Sequence, residues 1–142
     1  MPNPRYLSRI GEPTSELLDR LSLSKQVMYS NLNWFCEKWS CDPAVLGQVD
    51  KVYLIGSHAK SHGWKNNTSD LDIKIVNGNA EMMPYYLHLF GKEVLRPLLC
   101  RGEKHKWIDF YFVKEEYQVL SPKWDLTPYW NRIEIDPPVV VS

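Results

Sequence analysis

The stretch Ser69-Asp70-Leu71-Asp72-Ile73-Lys74-Ile75-Val76 alternates charged residues with branched apolar ones. Side chains two apart on a strand share a face. Asp70, Asp72 and Lys74 therefore project together, and Leu71, Ile73 and Ile75 project the other way. The apolar trio gives one face a strong reason to be buried, which leaves two carboxylates close together on the other. Two like charges ~4 Å apart repel by roughly 4 kcal/mol at an effective dielectric of about 20. A divalent cation that prefers oxygen ligands removes that cost, and Mg²⁺ is the usual choice beside phosphates.

Two flanking segments complete the pattern. Upstream, Lys51 to Ile55 reads as a strand that ends at Gly56-Ser57-His58-Ala59-Lys60. A glycine at a strand end lets the backbone approach a ligand closely, and the N–H groups after it can form an anion site. Ser57 can donate its hydroxyl to a phosphate oxygen, and His58 and Lys60 are placed to add positive charge. Downstream, Trp107-Ile108-Asp109-Phe110-Tyr111-Phe112-Val113 reads as a strand rich in β formers. A carboxylate inside such a run is unfavourable unless it is paired, solvated or bound to metal. If this strand lies beside the second strand, Leu71 to Val76, Asp109 joins Asp70 and Asp72 on one face. Three carboxylates can hold two metal ions about 4 Å apart, the arrangement that stabilises both oxygens of a phosphoryl displacement.

Gly-Ser after a strand, then a loop, then Asp-x-Asp, then a third Asp on a later strand, resembles the signature of the DNA polymerase β-like nucleotidyltransferases. It is closest in form to their short members, the minimal nucleotidyltransferases (MNT). The resemblance covers about residues 50 to 113. Two departures stand in it: twelve residues (58 to 69) separate Ser57 from Asp70, and Ser61 stands where the family commonly has Gly. The resemblance implies an α+β fold, with a central mixed β-sheet flanked by helices and an N-terminal helical cover. It implies Mg²⁺-dependent transfer of a nucleoside monophosphate, AMP from ATP first among them, to a hydroxyl acceptor. Asp70, Asp72 and Asp109 would be catalytic and would bind a two-ion Mg²⁺ site. Gly56, Ser57, His58 and Lys60 would bind the nucleotide, and Asp109 would help activate the acceptor. Some family members act as antitoxins on an all-α HEPN-domain toxin, so a partner protein is the expected acceptor. The alternatives are a non-catalytic MNT-fold module that neutralises a partner by complex formation, and a stand-alone enzyme, monomeric or homodimeric, acting on a small molecule or RNA end.

The remaining sequence is consistent with a globular domain spanning residues 1–142. Apolar residues make up 44% and charged residues 24%, the range of a normal core. Basic and acidic residues balance at 17 each, so no global field draws the chain onto DNA or a membrane, and sequence-specific DNA binding is not expected. Cys36, Cys41 and Cys100 match no zinc spacing and read as thiols of a reducing compartment. No apolar run approaches the roughly 18 residues of a membrane span, and Met1-Pro-Asn-Pro-Arg-Tyr lacks a signal sequence, so a cytoplasmic location is expected.

Outside the motif, a short helix is predicted from Thr14 through Leu21 and a longer one from Ser24 to Trp39, with Val27, Met28, Leu32, Phe35 and Trp39 as its core stripe. Asp42-Pro43 predicts a helix start, and Asn77-Gly78-Asn79 a turn. Glu81 to Leu99 predicts a helix that Pro97 bends or ends, and Leu126 to Ile135 a strand or extended arm. The tail from Pro137-Pro138 is expected to lie over the surface, His62 and His105 read as surface residues, and Trp64 either stacks on a base or a partner or anchors its loop.

Overall fold

A computed structural model describes residues 6–8, 10–60, 70–81, 84–99 and 108–135. The tail after Ile135, Trp107, Cys100, and the loop holding His62, Trp64 and Ser69 lie outside the described residues. Thr14 accepts a hydrogen bond from the Leu17 N–H and opens helix α1, Ser15–Trp39. Where the sequence predicts two helices, the chain runs as one. No Gly or Pro interrupts it, and Ser24 donates its hydroxyl to the Arg20 carbonyl at 2.7 Å rather than capping a new start. The stripe Leu17, Leu21, Met28, Leu32 and Phe35 is buried. Helix α2, Pro43–Leu46, starts as expected at Asp42, whose side chain accepts from the Ala44 N–H at 2.9 Å.

Strand β1, Lys51–Ile55, runs directly into the short helix α3, Gly56–Lys60. Strand β2, Leu71–Val76, lies antiparallel to β1, with Lys51 opposite Val76 and Ile55 opposite Asp72. Next comes one helical segment in three parts: α4, Pro84–Leu89; a π-helical stretch, Phe90–Leu95; and α5, Arg96–Leu99. Pro97 therefore does not end the segment. In a regular α-helix its ring would crowd the carbonyl of residue 93, and the wider π turn just before it accommodates the ring. The segment lies on the crossover that a parallel strand pair requires. Strand β3, Ile108–Val113, then pairs parallel to β2, with Leu71 opposite Ile108 and Asp72 opposite Asp109.

The last described stretch corrects the sequence reading. A two-residue strand β4, Trp124–Asp125, pairs with β1, and residues Thr127–Arg132 form helix α6 rather than a strand or arm. The Asp125 side chain accepts from the Thr127 N–H at 2.8 Å, and Pro128 stands in the first turn, a helix-start pattern. Lys25 of α1 donates to the Trp130 and Ile133 carbonyls, both at 3.0 Å, and so ties the end of α6 to α1. The sheet order is β3-β2-β1-β4, giving a mixed sheet in an α+β fold.

The two faces of the sheet have different fates. Leu71, Ile73, Ile75, Ile108, Phe110, Val52 and Leu54 join one buried cluster with α1 and the π-helical stretch. Within it the Phe35 and Phe90 rings lie 4.9 Å apart. On the opposite face Tyr53, Val76 and Val119 make a small second cluster near one end, and the acidic residues occupy the other. Among the described residues, no helix is long and apolar enough to cross a membrane.

Asn77 locks the turn after β2. Fully buried, it donates its side-chain amide to the Val45 and Leu46 carbonyls at 3.1 and 3.2 Å and accepts from the Asn79 N–H at 2.8 Å. Asn77→Ala is expected to lower unfolding free energy by about 1–3 kcal/mol, because it strands buried carbonyls at the end of α2. Urea titration measures this, and a midpoint equal to that of the wild type would contradict the role.

Candidate functional site

Residues opposite one another in a parallel pair point to the same face, so the β2–β3 register sets Asp72 beside Asp109 and Lys74 beside Tyr111. The burial patterns follow. Along β2 the apolar residues are buried while Asp72 and Lys74 are half-buried, and along β3 Ile108 and Phe110 are buried while Asp109 is half-buried and Tyr111 exposed. Asp70 stands two residues before Asp72, with its side chain 38% exposed against 19% for Asp109. The three aspartates that the sequence singles out thus meet at one end of the open sheet face.

Gly56 adjoins them from β1. Its φ of +72° lies in the left-handed region. A Cβ there would overlap Asp72 Oδ2 and come within 3.1 Å of Asp72 Cγ. The glycine is therefore required twice, by its backbone conformation and by the carboxylate packed against it. The sequence reading reserves that space for a ligand, whereas in the structure Asp72 itself occupies it. Ser57 follows at the same corner, half-buried, and Lys60 ends α3 exposed.

His58 is placed differently from the expectation. It is 0% exposed and meets the Tyr6 ring edge-on at 4.6 Å between centroids. In the turn that follows Gly56, His58 and Ala59 both face the core. The ring is closed off from solvent, whereas Lys60, the other cation expected beside the triphosphate, is exposed.

The charges on the face are strained by their proximity. Burial, with Asp109 and then Asp70 as neighbouring negative charges, pushes the Asp72 carboxyl up to about 6, partly offset by a hydrogen bond from Tyr111 and by Arg96. Asp109 is also raised, first by burial, against which Arg96 pulls down and Asp70 pushes up. Burial raises Tyr111 as well, followed by the Asp72 and Asp109 charges. A hydroxyl beside two carboxylates keeps its proton and donates it.

Two residues of this site were not singled out from the sequence. Tyr111 was within reach, since it follows Asp109 by two on the same strand. Arg96 was not. Its Nη2 donates to Asp70 Oδ2 at 3.3 Å and its Nε lies 3.0 Å from Asp109 Oδ1, so one guanidinium bridges two of the three carboxylates. Beside it is a cavity of about 120 Å³ lined by His88, Gly91, Lys92, Arg96, Asp109 and Tyr111, among others.

Among the described residues, no three His, Cys, Asp or Glu side chains close into a metal-ligand set. The donor chemistry nevertheless fits a hard cation: carboxylates on one face, two with raised proton affinity, and a neighbouring backbone stripped of side chain at Gly56.

No protein-family model matches the chain, and neither a search of curated proteins nor a search of solved structures returns a match. The functional reading therefore rests on the site's own chemistry and on the sequence signature.

A pH test follows from Asp72. Its folded-state affinity for a proton is above the ordinary carboxylate value, so its contribution to stability is present at low pH and is lost as pH rises through about 6. Without metal, Asp72→Asn should gain stability relative to wild type between about pH 4.5 and about pH 7.5, by on the order of 1 kcal/mol once solvent screening is discounted. Paired urea titrations at the two pH values measure it. A difference between the two proteins that does not change with pH would contradict the raised proton affinity of Asp72.

Proposed function

We propose that this chain is a Mg²⁺-dependent nucleotidyltransferase of the polymerase β-like kind, moving a nucleoside monophosphate from a nucleoside triphosphate to a hydroxyl. One observation supports it most: Asp72 and Asp109 are opposite one another in the parallel β2–β3 pair, and Gly56 is packed without a side chain against the Asp72 carboxylate. That is how the Gly-Ser, Asp-x-Asp and later Asp elements of the sequence signature would have to meet for phosphoryl chemistry.

In this reading Asp70, Asp72 and Asp109 hold the cation. When bound, it supplies charge neutralisation for the triphosphate and lowers the cost of the developing negative charge. Gly56 lets the Asp72 carboxylate pack against the corner of β1 and α3, and the Ser57 hydroxyl beside it donates to a phosphate oxygen. Lys60 adds positive charge at the exposed end of α3. Asp109, in the cavity with Lys92 and Tyr111, takes the proton from the acceptor hydroxyl, and its raised proton affinity suits a base. By the same sequence resemblance, ATP is the first nucleotide to try, and the acceptor is a hydroxyl on a partner protein, an all-α HEPN-type chain foremost.

A second reading has one specific observation in its favour. Arg96 already neutralises Asp70 and Asp109, as it would in a binding module that keeps the fold and works by complex formation alone.

Incubation with each radiolabelled nucleoside triphosphate and Mg²⁺, with and without a HEPN-type partner, separates the two. The enzyme reading expects label transferred to a protein. It expects Asp70→Asn, Asp72→Asn and Asp109→Asn each to lower transfer on the order of 100-fold, the scale of losing one preorganised charge contact. A double variant should be scarcely worse than either single one, because the carboxylates act as one unit. Equal transfer by wild type and all three folded variants would remove the aspartates from catalysis.

A further inference from the structure

We propose that Arg96 is the resident counter-ion of the carboxylate site, and that a divalent cation binds there only by displacing it. The inference rests on the reading that Asp70, Asp72 and Asp109 take such a cation. It adds that the competitor is built into the chain.

The bridge joins groups that are distant in sequence and carried by different elements. Asp70 leads into β2, Asp109 lies within β3, and Arg96 begins α5. One guanidinium reaches both carboxylates, at 3.3 Å through Nη2 and at 3.0 Å through Nε. Its side chain is only 24% exposed, so this is not a solvated surface pair. Such a bridge lowers the repulsion among the three aspartates that would otherwise oppose folding in the absence of metal.

The mount of Arg96 is specific. Its backbone N–H bonds back to the Gly91 carbonyl across the π-helical stretch, five residues rather than four. Gly91 in turn lies so close to β3 that a Cβ would come within 3.4 Å of the Phe110 carbonyl oxygen and 3.2 Å of the Phe112 ring. The π turn and the close approach together hold the start of α5 beside Asp109. π turns of this kind are rare and collect at functional sites.

Occupancy by arginine and by metal is exclusive. Guanidinium offers N–H donors and no lone pair, so it cannot serve as a metal ligand, and its charge repels a cation. The oxygens it holds are the ones a cation needs. The cavity of about 120 Å³ beside Arg96 gives a released side chain room on the same face. A divalent cation that arrives with a triphosphate also brings the anion to which a released guanidinium can turn. Metal alone should therefore bind weakly, and metal with triphosphate should bind better than either alone.

The test uses Mn²⁺ alone, followed by the electron paramagnetic resonance of the free ion, together with thermal unfolding of wild type, Arg96→Gln and Arg96→Lys. Arg96→Gln should bind Mn²⁺ on the order of tenfold more tightly than wild type, within the usual range of coupling between sites. It should also melt lower than wild type without metal and recover on adding Mn²⁺. Arg96→Lys keeps the charge but loses the planar fork that spans both carboxylates, so it should fall between them, and it decides the matter if the glutamine variant does not fold. An Arg96 that only supports the fold would lower the melting temperature and leave Mn²⁺ affinity unchanged. That result overturns the proposal while leaving the metal site standing. No Mn²⁺ binding by any variant, even with a non-hydrolysable ATP analogue, overturns the proposal and the metal site together.

Discussion

Asp72 and Asp109 stand side by side because β2 and β3 pair in parallel with Leu71 opposite Ile108 and Ile73 opposite Phe110. The apolar partners on the far face determine that register, since they are buried in the main core. A slip of one residue would turn every side chain of β2 over, sending Leu71, Ile73 and Ile75 into water and the aspartates into the core. The core therefore enforces a juxtaposition that electrostatics opposes. Burial first, and then the neighbouring carboxylates, raise the proton affinity of Asp72, and burial and Asp70 raise that of Asp109.

Everything near the site responds to this constraint. Gly56 has no side chain because the Asp72 carboxylate needs the space. Tyr111, carried onto the face by the same alternation that exposes Asp109, donates to Asp72. Arg96 bridges Asp70 and Asp109 from a helix whose path is altered by a π turn. At the other end of the face, away from the charges, Tyr53, Val76 and Val119 return to ordinary apolar packing. Crowded negative charge thus gathers in one patch bordered by a cavity, and such a patch suits a cationic ligand better than it suits stability.

The parts legible in the sequence are those governed by local periodicity. The two-residue alternation placed Asp70 and Asp72 on one face, an acidic residue within an apolar strand pointed to Asp109, and Asn77-Gly78-Asn79 marked the turn. What was not legible depends on long-range geometry or on weak local signals. Arg96 meets Asp70 across 26 residues, and no spacing rule predicts the π turn that brings it there. The sequence puts His58 beside the triphosphate, and its orientation against Tyr6 in a helical turn is set only by the tertiary structure. The helix Thr127–Arg132 starts at Asp125 and Pro128, a helix-start signal that the reading of Leu126 to Ile135 as a strand or arm passes over. The continuity of α1 follows from the absence of Gly and Pro between Leu21 and Ser24, where the sequence reading divides it in two.

The central claim is that the open face near Gly56 binds a divalent cation through Asp70, Asp72 and Asp109 together with a nucleoside triphosphate. Its most direct test is a crystal structure with Mn²⁺ and a non-hydrolysable ATP analogue, in which anomalous scattering locates the metal. The account predicts anomalous density among the three carboxylates, triphosphate oxygens beside Gly56 and Ser57, and Arg96 released from Asp70 and Asp109. Nucleotide and Mn²⁺ bound elsewhere, with the Arg96 bridge intact, would contradict it.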